Sequence, residues 1–241
     1  MIQRRLFLVG ASALVLTGCG KDLIGPPEAS PIYVVKPQFP AAAAGGAKVP
    51  WALSILHPDM TGALDNERIA LFQPDGSMDY YAKATYPDRL ASIVQHALLD
   101  GFEASGRIDA VATEEAALHA DYDLAVDVKD FAAHYSQPDG VPNVTVSITV
   151  KLAAAHGRAI VGSFSTIQTG SASVNSAAAA AQALQQALGA AVKAIVDWAL
   201  TFPMPVNQTA QSYASPGKPA EQLLHDVTRG SDKLRDIPKP R

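Results

Sequence analysis

Residues 144–152 read VTVSITVKL, and this stretch decides the fold. Apolar and polar side chains alternate along it without interruption. The apolar positions are Val144, Val146, Ile148, Val150 and Leu152. Successive side chains of a strand point to opposite faces, so the alternation predicts a strand with one buried and one solvated face. Such strands are typical of antiparallel sheets that are covered on one side only.

The same alternation lies upstream, in residues 121–129. The apolar set is Tyr122, Leu124, Val126 and Val128, and Asp121, Asp123, Asp127 and Lys129 stand between them. A turn at His156-Gly157 predicts a third strand over residues 159–167. Shorter strands are expected at residues 51–56, 68–72 and 78–84, and residues 32–35 are expected to form a short first strand.

Two amphipathic helices complete the predicted fold. Residues 90–102 carry apolar side chains at a period of 3.6, and Gly106 ends this helix. An alanine-rich helix over residues 174–200 is ended by Pro203 and Pro205. Strands with one wet face need helices on the other face only. The sequence therefore predicts an α+β fold: a two-layer sandwich of a largely antiparallel sheet with two long helices on one face.

The N-terminus has the parts of an export signal that ends in a lipobox. Arg4 and Arg5 form a positive start, and an apolar run of 11 residues follows at positions 6–16. A membrane-spanning helix needs about 20 apolar residues, so this run predicts a cleaved signal. Residues 16–19, LTGC, match the lipobox of bacterial lipoproteins. We expect signal-peptidase cleavage between Gly18 and Cys19, a diacylglycerol thioether on Cys19, and an acyl chain such as palmitate on its amine.

Two details concern the export route and the destination. Residues 3–8, QRRLFL, resemble a twin-arginine signal, while an ordinary basic start to a general secretory signal accounts for the same residues, and both routes stay open. Gly20 stands where Asp retains lipoproteins on the inner membrane under the enterobacterial sorting rule. Its presence favours the periplasmic leaflet of the outer membrane over the inner membrane.

Composition divides the chain into four segments. Residues 1–18 are the signal peptide, residues 19–50 the lipidated cysteine and a flexible tether, residues 51–201 the folded domain, and residues 202–241 a polar, disordered tail. Cleavage of the signal peptide would remove Arg4 and Arg5, so the net charge would change from −4 for the full chain to −6 for the mature chain. An acidic chain without a basic run is not expected to bind nucleic acid. One cysteine in the whole sequence excludes an internal disulfide.

Motifs that carry chemistry are missing from the sequence. No pair of the six histidines is spaced i, i+4, no Gly-rich phosphate loop is present, and no serine lies in a nucleophile elbow. Asp121, Asp123 and Asp127 are interpreted as a solvated strand face, so we expect no metal, no cofactor and no enzymatic activity. Tyr80 and Tyr81 are adjacent on a predicted strand, so one must point outward, and we consider them as interface anchors.

The order and spacing of several motifs resemble the auxiliary lipoproteins of ABC-type transport systems. The motifs are residues 51–56; LDNERIA at 64–70; Tyr80-Tyr81; the helix at 90–102; ADYDLAV at 120–126, followed by Phe131; Gly157-Arg158; and the alanine-rich helix with Trp198 near its end. The resemblance covers residues 50–200 and the lipobox. The family usually has a tryptophan leading into the first helix, where this chain has Tyr86.

The resemblance implies a non-enzymatic accessory subunit. Such lipoproteins work with an MCE-domain protein and an ABC permease and ATPase that move lipids or other hydrophobic molecules between the two membranes, and the family suggests ring-like homo-oligomers. An alternative stays open from the residues alone: a lipoprotein that activates a cell-wall synthase or assists outer-membrane assembly. The transported molecule and the contact surface of the partner are not encoded in any recognisable motif.

Overall fold

The computed structural model describes residues 30–40, 47–116 and 119–205. Seven strands and two long helices follow one another in this part of the chain. The strands are β1 (Val49–Ile55), β2 (Arg68–Phe72), β3 (Met78–Thr85), β4 (Ile108–Thr113), β5 (Tyr122–His134), β6 (Asn143–Ala154) and β7 (Ile160–Ser171). The helices are α1 (Leu90–Ser105) and α2 (Ala177–Ala199).

The seven strands form one mixed sheet around β5. One edge of β5 pairs antiparallel with β6 along its length, and β6 pairs antiparallel with β7. The other edge is shared, because β1 pairs in parallel with the start of β5 and β2 pairs in parallel with its end. β4 lies beyond β1 and β3 beyond β2. The long ladders are the antiparallel ones, and the predicted α+β class is confirmed.

A bulge in β5 resets the alternation that the sequence shows. Val128 pairs with Ile148, but Asp130 pairs with Ser147, so Lys129 is an extra residue without a partner. An inserted residue moves the side chains that follow it to the opposite faces of the strand. Phe131 therefore takes an inward position, and β5 continues to His134. The alternation of apolar and polar residues in the sequence ends at Lys129 because the bulge at this residue interrupts the period of two.

Both helices pack on the face of the sheet that the alternating apolar residues form. α2 packs over β5, β6 and β7, while α1 packs over β1 and β4 and against α2. The N–H of Gly106 bonds the carbonyl of Glu103 and ends α1 in the left-handed conformation, with φ of 59°. On the opposite face of β6, Thr145, Ser147 and Thr149 remain partly exposed. Two layers with one solvated sheet face are thus the observed architecture.

Two sequence expectations differ from the structure. β4 was not anticipated, because its short sequence IDAVAT carries a weak pattern and its inward positions are mostly small. Residues 32–35 do not form a strand: Ile32 makes a single parallel bridge to Thr85. Beyond it the chain turns away from the sheet edge and crosses the helices, where Val35 is buried.

Candidate functional site

The lipobox lies outside the described residues. Cleavage between Gly18 and Cys19 and lipidation of Cys19 stay sequence predictions. The structure begins 11 residues after that cysteine, at Ser30. Residues 31–40, which we call the strap, stand at the start of the described chain and contact the folded body.

The strap is tied to three elements of the body. At its start, the N–H of Tyr33 donates to the carbonyl of Thr85 at 2.7 Å, at the end of β3. Lys36 then forms an ion pair with Asp100 of α1 at 3.3 Å, and its backbone N–H donates to Gln185 of α2 at 3.3 Å. These bonds join the strap to the end of β3 and to both helices.

Small residues of the helices make room for the strap. A methyl group added to Gly189 of α2 would lie 3.3 Å from Pro37, and one added to Gly101 of α1 would lie 3.5 Å from the Phe39 ring. Two shallow cavities flank this contact. The one between the strap and the start of α1 has a volume of about 260 Å³, and the one between the ends of α1 and α2 about 380 Å³.

The larger of these two cavities is apolar with a polar rim. Gly101, Val192 and Val196 line it, and Lys193 and Arg107 both face Asp197, at 2.6 and 3.5 Å. Two cations share one carboxylate there, so the rim is mildly positive. Its volume lies near the lower end of the roughly 300–1,000 Å³ that is typical of small-molecule sites.

Tyr80 and Tyr81 point to different neighbours, as adjacent strand residues do. The Tyr80 hydroxyl donates to the carbonyl of Ala63 at 2.9 Å, and the guanidinium of Arg68 lies 3.8 Å from the centre of its ring. The Tyr81 hydroxyl lies 2.9 Å from that of Tyr135, which in turn donates to Asn175. Burial raises the pKa of Tyr81. Both rings are half-buried, and their role as interface anchors stays a prediction.

The aspartates of the predicted acidic face each have separate surroundings. The Asp121 carboxylate accepts the N–H of Ala52 at 2.9 Å, and Asp127 pairs with Lys129. Burial raises the pKa of Asp123. Within residues 30–40, 47–116 and 119–205, no group of three or more His, Cys, Asp or Glu side chains is placed to hold a metal ion.

One acid–histidine pair was missed from the sequence. Nε2 of His134 lies 2.9 Å from Oδ2 of Asp130, and the imidazole stacks on Phe72 with ring centres 4.9 Å apart. Burial raises the pKa of Asp130. The spacing of four residues on a strand puts both side chains on one face, and the bulge at Lys129 selects the outer one. Stacking and pairing account for this cluster as a structural contact between β2 and β5.

The segment that follows α2 is hydrogen-bonded to β1 and β5. The indole N–H of Trp51 donates to the carbonyl of Phe202 at 3.0 Å, and the Tyr122 hydroxyl donates to the carbonyl of Pro203 at 2.8 Å. The two rings meet edge to face at 5.2 Å. The packed body therefore includes residues 202 and 203, and residues 206–241 lie outside the described residues.

None of the helices in the described residues is long and apolar enough to cross a membrane. The candidate functional features of the described residues are surfaces: the strap with its grooves, and the outer strands of the sheet.

Comparisons with known proteins identify the family. The model of the ABC-type transport auxiliary lipoprotein component matches residues 33–196, from the strap to the last turn of α2. Protein XCC0632 from Xanthomonas campestris, of family DUF330, is similar with a TM-score of 0.65 and 25% identity over 76% of this chain and 99% of that chain. The crystal structure of an uncharacterized protein shares the fold at a TM-score of 0.54 and 14% identity, over 68% and 98% of the two chains.

No curated protein matches the sequence. The family match covers all seven strands, α1, most of α2 and most of the strap, which confirms the resemblance found in the sequence motifs. The chain belongs to the ABC-type transport auxiliary lipoprotein family.

Proposed function

We propose that this protein is an outer-membrane-anchored periplasmic lipoprotein that serves, without catalysis, as an accessory subunit of an ABC/MCE-type system. The system would move lipids or other hydrophobic molecules between the two membranes. Membership of the transport auxiliary family supports this role. The observation that carries the proposal is the lipobox at residues 16–19, which stands directly before the tether and the strap.

Lipid on Cys19 provides the attachment. Each buried CH₂ contributes about 0.8 kcal/mol of membrane affinity, and a single acyl chain holds a protein only marginally. A diacylglycerol thioether together with an amide-linked acyl chain gives three chains on one residue, which makes detachment very slow. Such an anchor leaves the acidic body free to face the periplasm. Gly20 favours the outer membrane, because it does not supply the inner-membrane retention signal.

The strap gives the anchor a mechanical connection to the body. Between Cys19 and Ser30 the chain spans at most about 40 Å when fully extended. Beyond that point Lys36, with its bonds to α1 and α2, fixes the direction in which the tether leaves the helical layer. The body therefore stays within reach of the leaflet, at a height that suits docking onto a complex that spans the periplasm.

Affinity purification from native membranes tests the proposed partnership. A C-terminally tagged chain, crosslinked briefly in intact cells, should co-purify with an MCE-domain protein and an ABC permease. The Cys19→Ala chain is the matched control, since it keeps every residue of the described body and lacks only the thiol. Its yield of both partners should fall at least tenfold.

Two outcomes would count against the transport role. The first is a capture dominated by cell-wall synthases or outer-membrane assembly proteins, which would favour the alternative function. The second is an MCE protein that never crosslinks to the tagged chain at expression levels near the natural one.

A further inference from the structure

The larger of the two cavities beside the strap, which we call the α1–α2 groove, has an apolar floor. It has a volume of about 380 Å³ and lies between the ends of α1 and α2. Gly101 lies on this floor, and a methyl group added to it would be 3.5 Å from the ring of Phe39 and 3.6 Å from Cγ2 of Val196. Val192, which also lines the groove, is fully buried. The glycine therefore leaves an apolar depression between three larger side chains.

Positive charge stands at the rim of the α1–α2 groove. Arg107 and Lys193 line it, and both contact Asp197, the one acidic residue among the described residues of its lining. Two cations and one carboxylate leave a net charge of +1 at this rim, whereas the whole chain carries −4. The ion pair of Lys193 with Asp197 is exposed to solvent, and such pairs are weak. An incoming anion can therefore compete with Asp197 for both cations.

The guanidinium of Arg107 is held in place but has few partners. The Arg107 N–H donates to Oγ of Ser105 at 3.2 Å, and its carbonyl accepts the N–H of Val49 at 2.8 Å, so its backbone is fixed. Nε of the side chain is buried and has no hydrogen-bond partner among the described residues. Nη1 lies 3.5 Å from Asp197, at the limit of a hydrogen bond. A guanidinium has five N–H donors and binds phosphate through two of them, so Arg107 has donors to spare.

The smaller cavity, between the strap and the start of α1, has the opposite charge. Asp88 and Asp100 line it together with Lys36, which is already paired with Asp100 at 3.3 Å. His96 lines it as well. With a neutral His96, two carboxylates and one cation leave a net charge of −1. An anion is therefore attracted to the α1–α2 groove and repelled from the neighbouring cavity.

We propose that the α1–α2 groove binds a single-chain lipid whose head group carries a phosphate. The acyl chain lies on the apolar floor, and the phosphate lies at the rim, where Arg107 and Lys193 donate hydrogen bonds to its oxygens. The volume of the groove suits one chain, because it is near the lower end of the range for small-molecule sites. The binding requires neither the lipid on Cys19 nor a transport partner, so it stands or falls separately from the proposed function.

Photoaffinity labelling of the full lipidated chain tests the ligand and its place together. The protein, reconstituted in phosphatidylcholine vesicles, is illuminated with dodecyl phosphate that carries a diazirine at the end of its chain. Mass spectrometry of the peptides should find the label within residues 101–107 or 189–197. A dodecyltrimethylammonium probe with the same diazirine should label these residues about tenfold less, because it lacks the charge-assisted hydrogen bonds.

Three results of this labelling would overturn the proposal. The first is equal labelling of the groove by the anionic and the cationic probe. The second is label at the smaller cavity in place of the α1–α2 groove. The third is loss of the label when inorganic phosphate is added at the concentration of the probe, which would identify a site for the free anion and not for a lipid.

Removing the charges tests the rim. A chain with both Arg107→Gln and Lys193→Gln keeps Asp197 and so makes the rim negative. Its groove should be labelled by the dodecyl phosphate probe about tenfold less than that of the wild type. Lys151→Gln is the matched control, since Lys151 is exposed on the face of β6 that is turned away from the helices. Undiminished labelling of the double variant contradicts the assignment of the phosphate to this rim.

Filling the groove tests the floor without changing any charge. Ala190 is an exposed residue of α2 that lines the groove, so Ala190→Phe places a ring where the acyl chain would lie. Ala178→Phe makes the same change at another exposed position of α2, outside the lining. Ala190→Phe should lose most of the label and Ala178→Phe none, with unchanged circular dichroism spectra for both. A folded Ala190→Phe chain that is labelled like the wild type overturns the proposal.

Discussion

Tyr86 buries a hydroxyl group for which no partner lies among the described residues. The ring is 2% exposed and meets Phe131 edge to face at 6.4 Å. Burial raises the pKa of the phenol, so the group stays neutral. A buried hydroxyl without a hydrogen bond costs about 1–3 kcal/mol, and the ring alone supplies the packing.

Removing that hydroxyl should therefore stabilise the protein. Tyr86→Phe is expected to raise the free energy of unfolding by about 1 kcal/mol in urea titrations. Tyr122→Phe is the control: Tyr122 is equally buried, but its hydroxyl donates to the carbonyl of Pro203 at 2.8 Å. This second variant should lose about 1 kcal/mol. If both variants lose stability, Tyr86 has a partner after all.

Asp65 caps α1 from a distant loop. Its carboxylate accepts the N–H of Ala91 at 3.4 Å and two hydrogen bonds from Arg89, whose own side chain does not cap the helix. Asp65→Ala should lower the free energy of unfolding by about 1 kcal/mol at pH 7, as loss of a cap does. Asp79→Ala, at an exposed position of β3, is the matched control and should cost little.

The effect of Asp65 should depend on pH in one direction. Hydrogen bonds from Arg89 hold the pKa of Asp65 below its usual value. The folded state thus favours the carboxylate, and its contribution is complete above the unfolded pKa of about 3.9. The contribution is lost as the pH falls through the lower folded pKa. The stability gap between wild type and Asp65→Ala should shrink below pH 4, and a gap that widens there would contradict the capping role.

At the scale of elements, α1 and α2 meet where Gly101 has no side chain. A methyl group at this position would lie 2.3 Å from Cγ1 of Val192, so the valine side chain or one of the helices would have to shift. Gly101→Ala should therefore lower the free energy of unfolding by about 1–3 kcal/mol, measured by chemical denaturation. Gly62→Ala has no atom within 4 Å of the added methyl and serves as control. A neutral Gly101→Ala would show that Val192 and the two helices adjust to the added methyl without loss of stability.

The sequence predicted those elements whose pattern is carried by their own residues. β2 was predicted at its observed bounds, and β6 and α1 were recognised because one face of each is apolar at the right period. β4 was missed because a short outer strand needs few apolar side chains. The parallel pairing of β1 and β2 with β5 was not predicted, since a strand's own pattern does not identify its neighbours.

Contacts between segments that are distant in the sequence were also not predictable from local sequence patterns. Asp65 reaches α1 from 26 residues away and Lys36 reaches α2 from 149 residues away, so neither contact leaves a local signal. The strap was assigned to the tether because its prolines and polar residues are typical of a linker. Its apolar residues 32–35 predicted a short strand, and the packing of Val35 and Phe39 against the helices was not predicted.

At the scale of the whole molecule, the proposed function makes one residue, Cys19, determine where the protein works. No helix of the described body is long and apolar enough to cross a membrane, and the proposed attachment is through lipid at Cys19. Cys19→Ala should leave the thermal unfolding midpoint of the body unchanged and should move the protein out of the membrane fraction or block its processing. Ser30→Ala, at the end of the tether, is a neutral comparison that should fractionate like the wild type.

Mass spectrometry of the mature N-terminus tests the central claim most directly. The protein purified from membranes should yield an N-terminal peptide that begins at Cys19. That peptide should carry a diacylglycerol thioether on its sulfur and an acyl chain on its amine. A mature chain that begins at another residue, or an unmodified cysteine at position 19, would contradict the account of an anchored accessory lipoprotein.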